Sequence, residues 1–266
     1  MSEMKISKPI TVGSWLSMGN VYVAEIMVNA GFDWLVIDME HSAANSLGQV
    51  QRLIQVIDLA GCMPFVRTPA NDPIVIKQVM DAGACGVIVP RVNSPSEAEA
   101  AVGAVRYPPY GERGVGLWRA QGYGRTFDDY REWLEHGSKV IVQIEHIHAV
   151  KNLAAILDVD GVDGFIIGPY DLSASLGVPG DLEQPVVTEA LREVEAVASS
   201  TEKWVGYHIV HPDRERFLEM IRRGYNFIAY GVDFTFLTHV IDEELSFINE
   251  AIGSARWRAG SLNNQT

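Results

Sequence analysis

Short apolar runs alternate with longer amphipathic ones along nearly the whole chain. The runs Ile10–Trp15, Trp34–Asp38, Met63–Arg67, Gly86–Pro90, Val140–Glu145, Gly164–Gly168, Trp204–Ile209 and Asn226–Gly231 are brief and mostly uninterrupted by polar residues. Strands covered on both faces, as in a parallel sheet, have this pattern. Between them a helical period predicts helices over Val21–Ala30, Leu47–Ala60, Pro73–Ala82, Pro95–Val105, Ala149–Leu157, Val187–Ser199, Asp213–Arg223 and Thr235–Ile252. Gly31, Gly83 and Gly224 each follow such a segment, where a left-handed cap residue ends a helix. Eight strands, each followed by a helix, predict a single-domain (β/α)₈ barrel over residues 1–253. The polar tail, residues 254–266, is expected to fray. A doubly wound open sheet is the alternative, but eight evenly spaced units favour closure.

One long irregular stretch, Arg106–Arg125, carries Pro108-Pro109-Tyr110 and the glycines Gly111, Gly114 and Gly116. Its glycine order matches neither a dinucleotide nor a P-loop fingerprint, so a shaped lid or a subunit contact is expected rather than a phosphate cradle. Composition narrows the rest. The chain has 266 residues, 47% of them hydrophobic and 21% charged, as in a soluble globular domain. Its net charge of −13 argues against nucleic acid as a partner, which calls for a basic face. Two cysteines, Cys62 and Cys85, in no metal-like spacing suit a reducing cytosol. Met1–Lys8 lacks the apolar core of a signal peptide, and no apolar run reaches the roughly 20 residues of a membrane span. A cytoplasmic protein without membrane contact is expected.

In a barrel the chemistry sits at the C-terminal strand ends. Those ends present Trp15, then Asp38-Met39-Glu40-His41, Arg67, Pro90, Gln143 with Glu145, Asp171 just past strand six, His208 and Gly231. Glu145 and Asp171 lie one βα unit apart, and two acids at neighbouring strand ends can hold one hard divalent cation. The bland reading is that either caps a helix. Arg67 offers a fixed guanidinium for a carboxylate or an enolate oxygen, or else a structural ion pair. His41, beside acids, suits proton transfer, against the usual surface histidine. Gln143 faces the same way as Glu145 and can donate to a substrate. His146, His148, His211 and His239 show no zinc spacing, and no G-x-S-x-G elbow supports Ser-His-Asp chemistry. Lys77, Lys139, Lys151 and Lys203 fall away from the strand C-termini, which disfavours a Schiff-base aldolase.

Several blocks occur together in order: Gly31-Phe-Asp-Trp-Leu-Val-Ile-Asp-Met-Glu-His41, Ile76-Lys-Gln-Val-Met-Asp81-Ala-Gly, Arg106-Tyr-Pro-Pro-Tyr-Gly-Glu-Arg-Gly-Val-Gly116, Val142-Gln-Ile-Glu145 and Gly161-Val-Asp-Gly-Phe-Ile-Ile-Gly-Pro-Tyr-Asp-Leu-Ser173. Through them the chain resembles the HpcH/HpaI family of class II pyruvate aldolases, of the 4-hydroxy-2-oxoheptanedioate and 2-keto-3-deoxy sugar acid type. The resemblance implies a (β/α)₈ barrel and reversible cleavage of a 4-hydroxy-2-oxo acid to pyruvate and an aldehyde. It also implies a homohexamer, a dimer of trimers with the last helix exchanged between subunits.

By the same resemblance, Glu145 and Asp171 correspond to ligands of Mg²⁺, Mn²⁺ or Co²⁺, and Arg67 to the arginine that stabilises the enolate oxygen. His41 corresponds to the catalytic histidine, Asp81 to the acid that orients it, and Gln143 to a glutamine beside pyruvate. Trp15 belongs to the substrate pocket, and the main chain of Gly168, Pro169 and Tyr170 to the pyruvate carboxylate at a short helix start. Two positions depart from the family. Tyr170 stands where better-known members usually have alanine, and His208 where an apolar residue commonly lines the pyruvate pocket; either can change which donor or aldehyde fits. The stretch Gly116–Gly124 also differs from the dicarboxylate-semialdehyde enzymes. Related chemistry from another donor, oxaloacetate decarboxylation or a citrate-synthase-like condensation, is the enzymatic alternative. A catalytically idle ligand-binding paralogue is the other.

Overall fold

A computed structural model describes residues 8–42 and 46–253. Eight parallel strands close into a barrel in sequence order: β1 (Thr11–Leu16), β2 (Trp34–Asp38), β3 (Met63–Arg67), β4 (Gly86–Val89), β5 (Lys139–Ile144), β6 (Gly164–Ile167), β7 (Trp204–Ile209) and β8 (Phe227–Val232). The outer layer holds α1 (Val21–Asn29), α2 (Leu47–Leu59), α3 (Pro73–Ala82), α4 (Pro95–Val105), α5 (Phe127–His136), α6 (Ile147–Leu157), α7 (Pro169–Ser175), α8 (Pro185–Ala198), α9 (Arg214–Arg222) and α10 (Asp233–Ile252). The closed barrel settles the choice between barrel and open sheet. The expected tail, residues 254–266, lies outside the described residues.

Two apolar layers hold this together. Residues of alternate parity on the strands fill the barrel itself, among them Trp34, Val36, Phe65, Ile88, Ile141, Ile166 and Phe227. Trp34 stacks on Phe227 at 4.0 Å, and Phe227 on Trp204 at 5.0 Å. These rings have room because β1 carries glycine opposite them: a Cβ on Gly13 would sit 2.0 Å from the Trp34 ring. The other parity packs outward with the helices into one larger cluster. Several helices start on side-chain caps, for example Asp72 accepting from the Ile74 amide at 2.8 Å and Asp213 from those of Glu215 and Arg216 at 2.9 Å.

The expected elements stand within a few residues of those observed, and two helices go beyond them. Phe127–His136 forms α5 on the helical spacing of Phe127, Tyr130 and Leu134, the last two buried and the first packed against the core. Pro169–Ser175 forms α7, entered through Gly168 and Pro169, so Asp171 stands inside its first turn and is not a cap. The irregular stretch after α4 enters β5 and therefore crosses the N-terminal end of the barrel. It cannot be a lid over the opposite, C-terminal rim of its own chain.

Helix α10 leaves the barrel almost bare. Only Asp233 and Thr235 are buried, while Leu237, Val240, Ile241, Leu245 and Ile248 make an exposed apolar stripe at helical spacing. Its base is fastened, because Asp233 Oδ2 accepts from the amides of Ser17 at 3.0 Å and Met18 at 2.8 Å. Among the described residues no helix is long and apolar enough to cross a membrane.

Candidate active site

Strand alternation builds the site. Asp38 and Arg67 pair across β2 and β3, with the inward parity of Val36 and Phe65, so both emerge at the barrel mouth. There Asp38 grips Arg67 with both oxygens, Nε to Oδ1 at 2.9 Å and Nη2 to Oδ2 at 2.8 Å. Glu40 approaches Nη1 at 3.1 Å. The guanidinium carbon lies 4.4 Å from the Trp15 ring centre, and Trp15 stacks on His208 at 4.9 Å. Arg67 is thereby held on two sides by carboxylates and along a face by an aromatic ring. Asp38 Oδ1 also accepts from the amides of Glu40 at 3.0 Å and His41 at 3.3 Å, which sets the turn that presents the histidine.

A second group comes from β5 and β6. Gln143 and Glu145, two residues apart, are both buried, and Gln143 Nε2 donates to Glu145 Oε2. The Arg91 amide donates to Glu145 Oε1 at 2.7 Å. Gly168 passes close by: a Cβ there would stand 3.0 Å from Gln143 Nε2 and 3.3 Å from Glu145 Oε2. Asp171 reaches the same place from α7. A cavity of about 150 Å³ opens between the groups, lined by Trp15, His41, Arg67, Gln143, Asp171 and His208 together with Gly168, Pro169 and Tyr170. That is roughly five waters' worth of space, enough for a small acid.

Charge is out of balance at this mouth. Burial first, then the nearby carboxylates of Glu40 and Asp171, push the Glu145 carboxyl up to about 7. Burial would also raise Asp38, but the Arg67 hydrogen bonds and charge more than offset it and leave its carboxyl below the usual value. Burial, helped by Arg67, pushes the His208 imidazole down to about 3, so it stays neutral. Three polar atoms around the cavity are buried without a protein partner: Trp15 Nε1, Gln143 Oε1 and His208 Nε2.

Of the residues expected at the site, Asp81 alone is elsewhere within one chain. It ends α3 at the N-terminal face of the barrel, where Arg113 Nη2 meets its Oδ1 at 2.5 Å and Gln121 Nε2 at 3.3 Å. It therefore does not orient His41 of its own chain; the nearest acid to His41 Nε2 is Glu40, at 3.9 Å. Sequence reasoning gave Asp38 and Glu40 no role of their own. Their signal was available in the parity that Asp38 shares with Trp34 and Val36. The contribution of Arg91 had no such signal, because it is made by the main chain.

A barrel whose C-terminal mouth gathers a clamped guanidinium, carboxylates and a histidine around a small cavity has the form of an enzyme site for a small anionic substrate. Residues 11–240 match the family model described as HpcH/HpaI aldolase/citrate lyase, and the chain belongs to that family. It is 43% identical over 237 residues, 88% of each chain, to the 4-hydroxy-2-oxo-heptane-1,7-dioate aldolase of Salmonella paratyphi C. Among solved structures it resembles an HpcH/HpaI aldolase/citrate lyase family protein from Burkholderia cenocepacia, with TM-score 0.85, 33% identity and coverage of 91% and 95%. It also resembles the citrate synthase SbnG, with TM-score 0.81, 26% identity and coverage of 91% and 94%. The chain is a lyase of the aldolase type.

The raised Glu145 carboxyl carries a stability signature. Because folding favours its protonated form, the stabilisation is complete below the ordinary value of 4.5 and is lost as pH rises through about 7. The shift corresponds to on the order of 3 kcal/mol. In chelator, the melting temperature is expected to fall between pH 5 and 8, and Glu145→Gln to flatten that fall. The same pH dependence in both proteins would contradict the assignment.

Proposed function

We propose that the protein is a divalent-metal-dependent aldolase that reversibly cleaves a 4-hydroxy-2-oxo acid to pyruvate and an aldehyde. The observation that carries this is a pair of carboxylates at the cavity of the clamped Arg67: Asp171 lines it, and Glu145, bonded to the cavity-lining Gln143, is raised by burial and by the charges of Glu40 and Asp171. Such a group of acids fits a cation. Gly168 packs against Glu145 with no side chain in the way, and the buried Gln143 Oε1, without a protein partner, can accept from a ligand. Among the described residues no set of three or more His, Cys, Asp or Glu groups could hold a metal ion, so a cation here would take two protein carboxylates and draw its remaining ligands from water and substrate. Mg²⁺, Mn²⁺ or Co²⁺ held by Glu145 and Asp171 would act as a Lewis acid on the C2 carbonyl and carboxylate of the oxo acid.

The chain's own groups then divide the work. Arg67 holds negative charge as it develops on the C2 oxygen, and its clamp means that it need not reorganise to do so. His41, or a water it positions, takes the C4 hydroxyl proton. The C3–C4 bond breaks, its electron pair passes into the C2–C3 enolate, and the aldehyde departs. A proton delivered to C3 completes pyruvate. Trp15, Gln143 and His208, with the main chain of Gly168–Tyr170, shape the space around the oxo acid and limit the water in it. A citrate-synthase-like condensation is the second reading, favoured by the resemblance to SbnG. It would use the same enolate chemistry.

The protein is read as a cytoplasmic homo-oligomer, a hexamer built as a dimer of trimers, in which α10 lays its apolar stripe on a neighbouring copy. Asp81 fits this reading. Held at the far end of its own barrel, it can orient His41 only across an interface between copies.

Two experiments test these assignments. A screen of 4-hydroxy-2-oxo acids is expected to show pyruvate release that stops with chelator and returns with Mn²⁺, Co²⁺ or Mg²⁺. Glu145→Gln and Asp171→Asn should stay inactive while melting as folded proteins. Full turnover in metal-free protein would sink the reading, and turnover of oxaloacetate with no aldol cleavage would favour the second one. In the other, His41→Ala and Asp81→Asn are each expected to be inactive, and their mixture, refolded together, to regain part of the wild-type rate. A mixture as inactive as its parents would place the dyad wrongly.

A further inference from the structure

The loop after β4 does something unusual for a residue with a side chain. Arg91 has φ of +56°, and among the described residues only one other non-glycine residue, Tyr123, has a positive φ. An L-residue adopts this backbone at a cost, so it persists only where its surroundings over-determine it. Here they do. Val92, next in the chain, is fully buried. Asn93 Nδ2 donates to the Arg91 carbonyl at 3.0 Å, the Asn93 amide donates to Glu97 Oε2 at 2.6 Å, and Asn152 Nδ2 donates to the Asn93 carbonyl at 2.7 Å. The side chain is not the cause, since it is exposed and forms no ion pair among the described residues.

What the conformation achieves is the contact at its other end. The Arg91 amide points across to β5 and donates to Glu145 Oε1 at 2.7 Å, while Gln143 Nε2 takes Oε2. Each oxygen of Glu145 therefore spends a lone pair on a fixed donor, and the carboxylate plane is set before any ligand arrives. We propose that Arg91 is a positioning residue: its left-handed main chain aims an amide that fixes the plane in which Glu145 meets the cation. The inference rests on the divalent-cation reading above. It also identifies the backbone conformation, and not the arginine side chain, as the functional property of this position.

The test is a series at one position. Isothermal titration of chelator-treated full-length protein with Mn²⁺ measures affinity without turnover, and the electron spin resonance line shape of bound Mn²⁺ reports ligand geometry. Arg91→Lys keeps the backbone problem unchanged, and Arg91→Gly keeps the amide and accepts the positive φ freely; both are expected to bind within about twofold of wild type. Arg91→Ala, whose unbranched Cβ meets this backbone as arginine and lysine do, is expected to match Arg91→Lys. Arg91→Val, whose branched Cβ resists this backbone, should bind about 10–100-fold more weakly with an altered line shape, the usual cost of losing a group that orients a ligand. Affinities are to be read among variants whose metal-free melting is cooperative, and Arg91→Thr, also branched at Cβ, takes the place of the valine protein if that one does not fold. A β-branched variant that binds Mn²⁺ as tightly as wild type with an unchanged line shape overturns the positioning role alone, as does an Arg91→Ala protein much weaker than Arg91→Lys, which would make the side chain the working part. Absence of Mn²⁺ binding by wild type overturns the cation reading and this inference with it.

Discussion

The ion pair between Arg67 and Asp38 is the interaction on which the rest of this site depends. It brings a full positive charge into a nearly closed barrel mouth and holds it by two hydrogen bonds, a second carboxylate and the face of Trp15. A buried pair of this kind is weak evidence for stability, because desolvation consumes much of its attraction. Its value here is geometric. The same Asp38 oxygen that grips Arg67 also accepts from the amides of Glu40 and His41, so one carboxylate fixes both the guanidinium and the turn carrying the histidine. Across the cavity the balance is opposite: burial first, then the charges of Glu40 and Asp171, makes Glu145 harder to ionise than a free carboxyl. One side of the mouth has its cation built in, and the other is short of one.

The barrel beneath supplies rigidity. Trp34, Phe227 and Trp204 stack through its interior, and the absence of a side chain at Gly13 leaves them the space. Rim residues two or four positions further along the same strands inherit that order. Gln143 stands one inward step above Ile141, Arg67 above Phe65, and His208 above Gly206 on the strand that begins with Trp204. A catalytic group at the end of a strand whose lower side chains are locked is held more closely than one on a free loop. His41 is the exception, with its side chain mostly exposed beyond β2. It is also the group for which a neighbouring copy is invoked.

Much of this could be read from the sequence, for reasons that differ by element. The eight strands were legible because parallel strands buried on both faces are written as continuous apolar runs, and Gly31, Gly83 and Gly224 do end helices with positive φ. Helix α5 was not expected although Phe127, Tyr130 and Leu134 recur at helical spacing, because it is a second helix between α4 and β5, which a count of one helix per strand does not call for. At the site, period-two reasoning brought Gln143 together with Glu145 and could have done the same for Asp38 and Arg67. The place of Asp81 was legible as well: in the expected barrel a helix that follows a strand ends at the N-terminal face, and Asp81 stands at the end of the helix after strand three, away from the rim. No side-chain pattern, by contrast, could reveal a main-chain donor such as that of Arg91.

The central claim is that the clamped Arg67 guanidinium stabilises enolate charge, and exchange of the pyruvate methyl protons isolates that step from any aldehyde. In heavy water, with divalent cation present, wild-type protein is predicted to exchange those protons at a rate that proton resonance follows directly. Arg67→Ala should slow it by on the order of 10²–10³, the usual loss for one such contact. Exchange near the wild-type rate in a folded, metal-binding Arg67→Ala protein would show that the ion pair is structural and contradict the account.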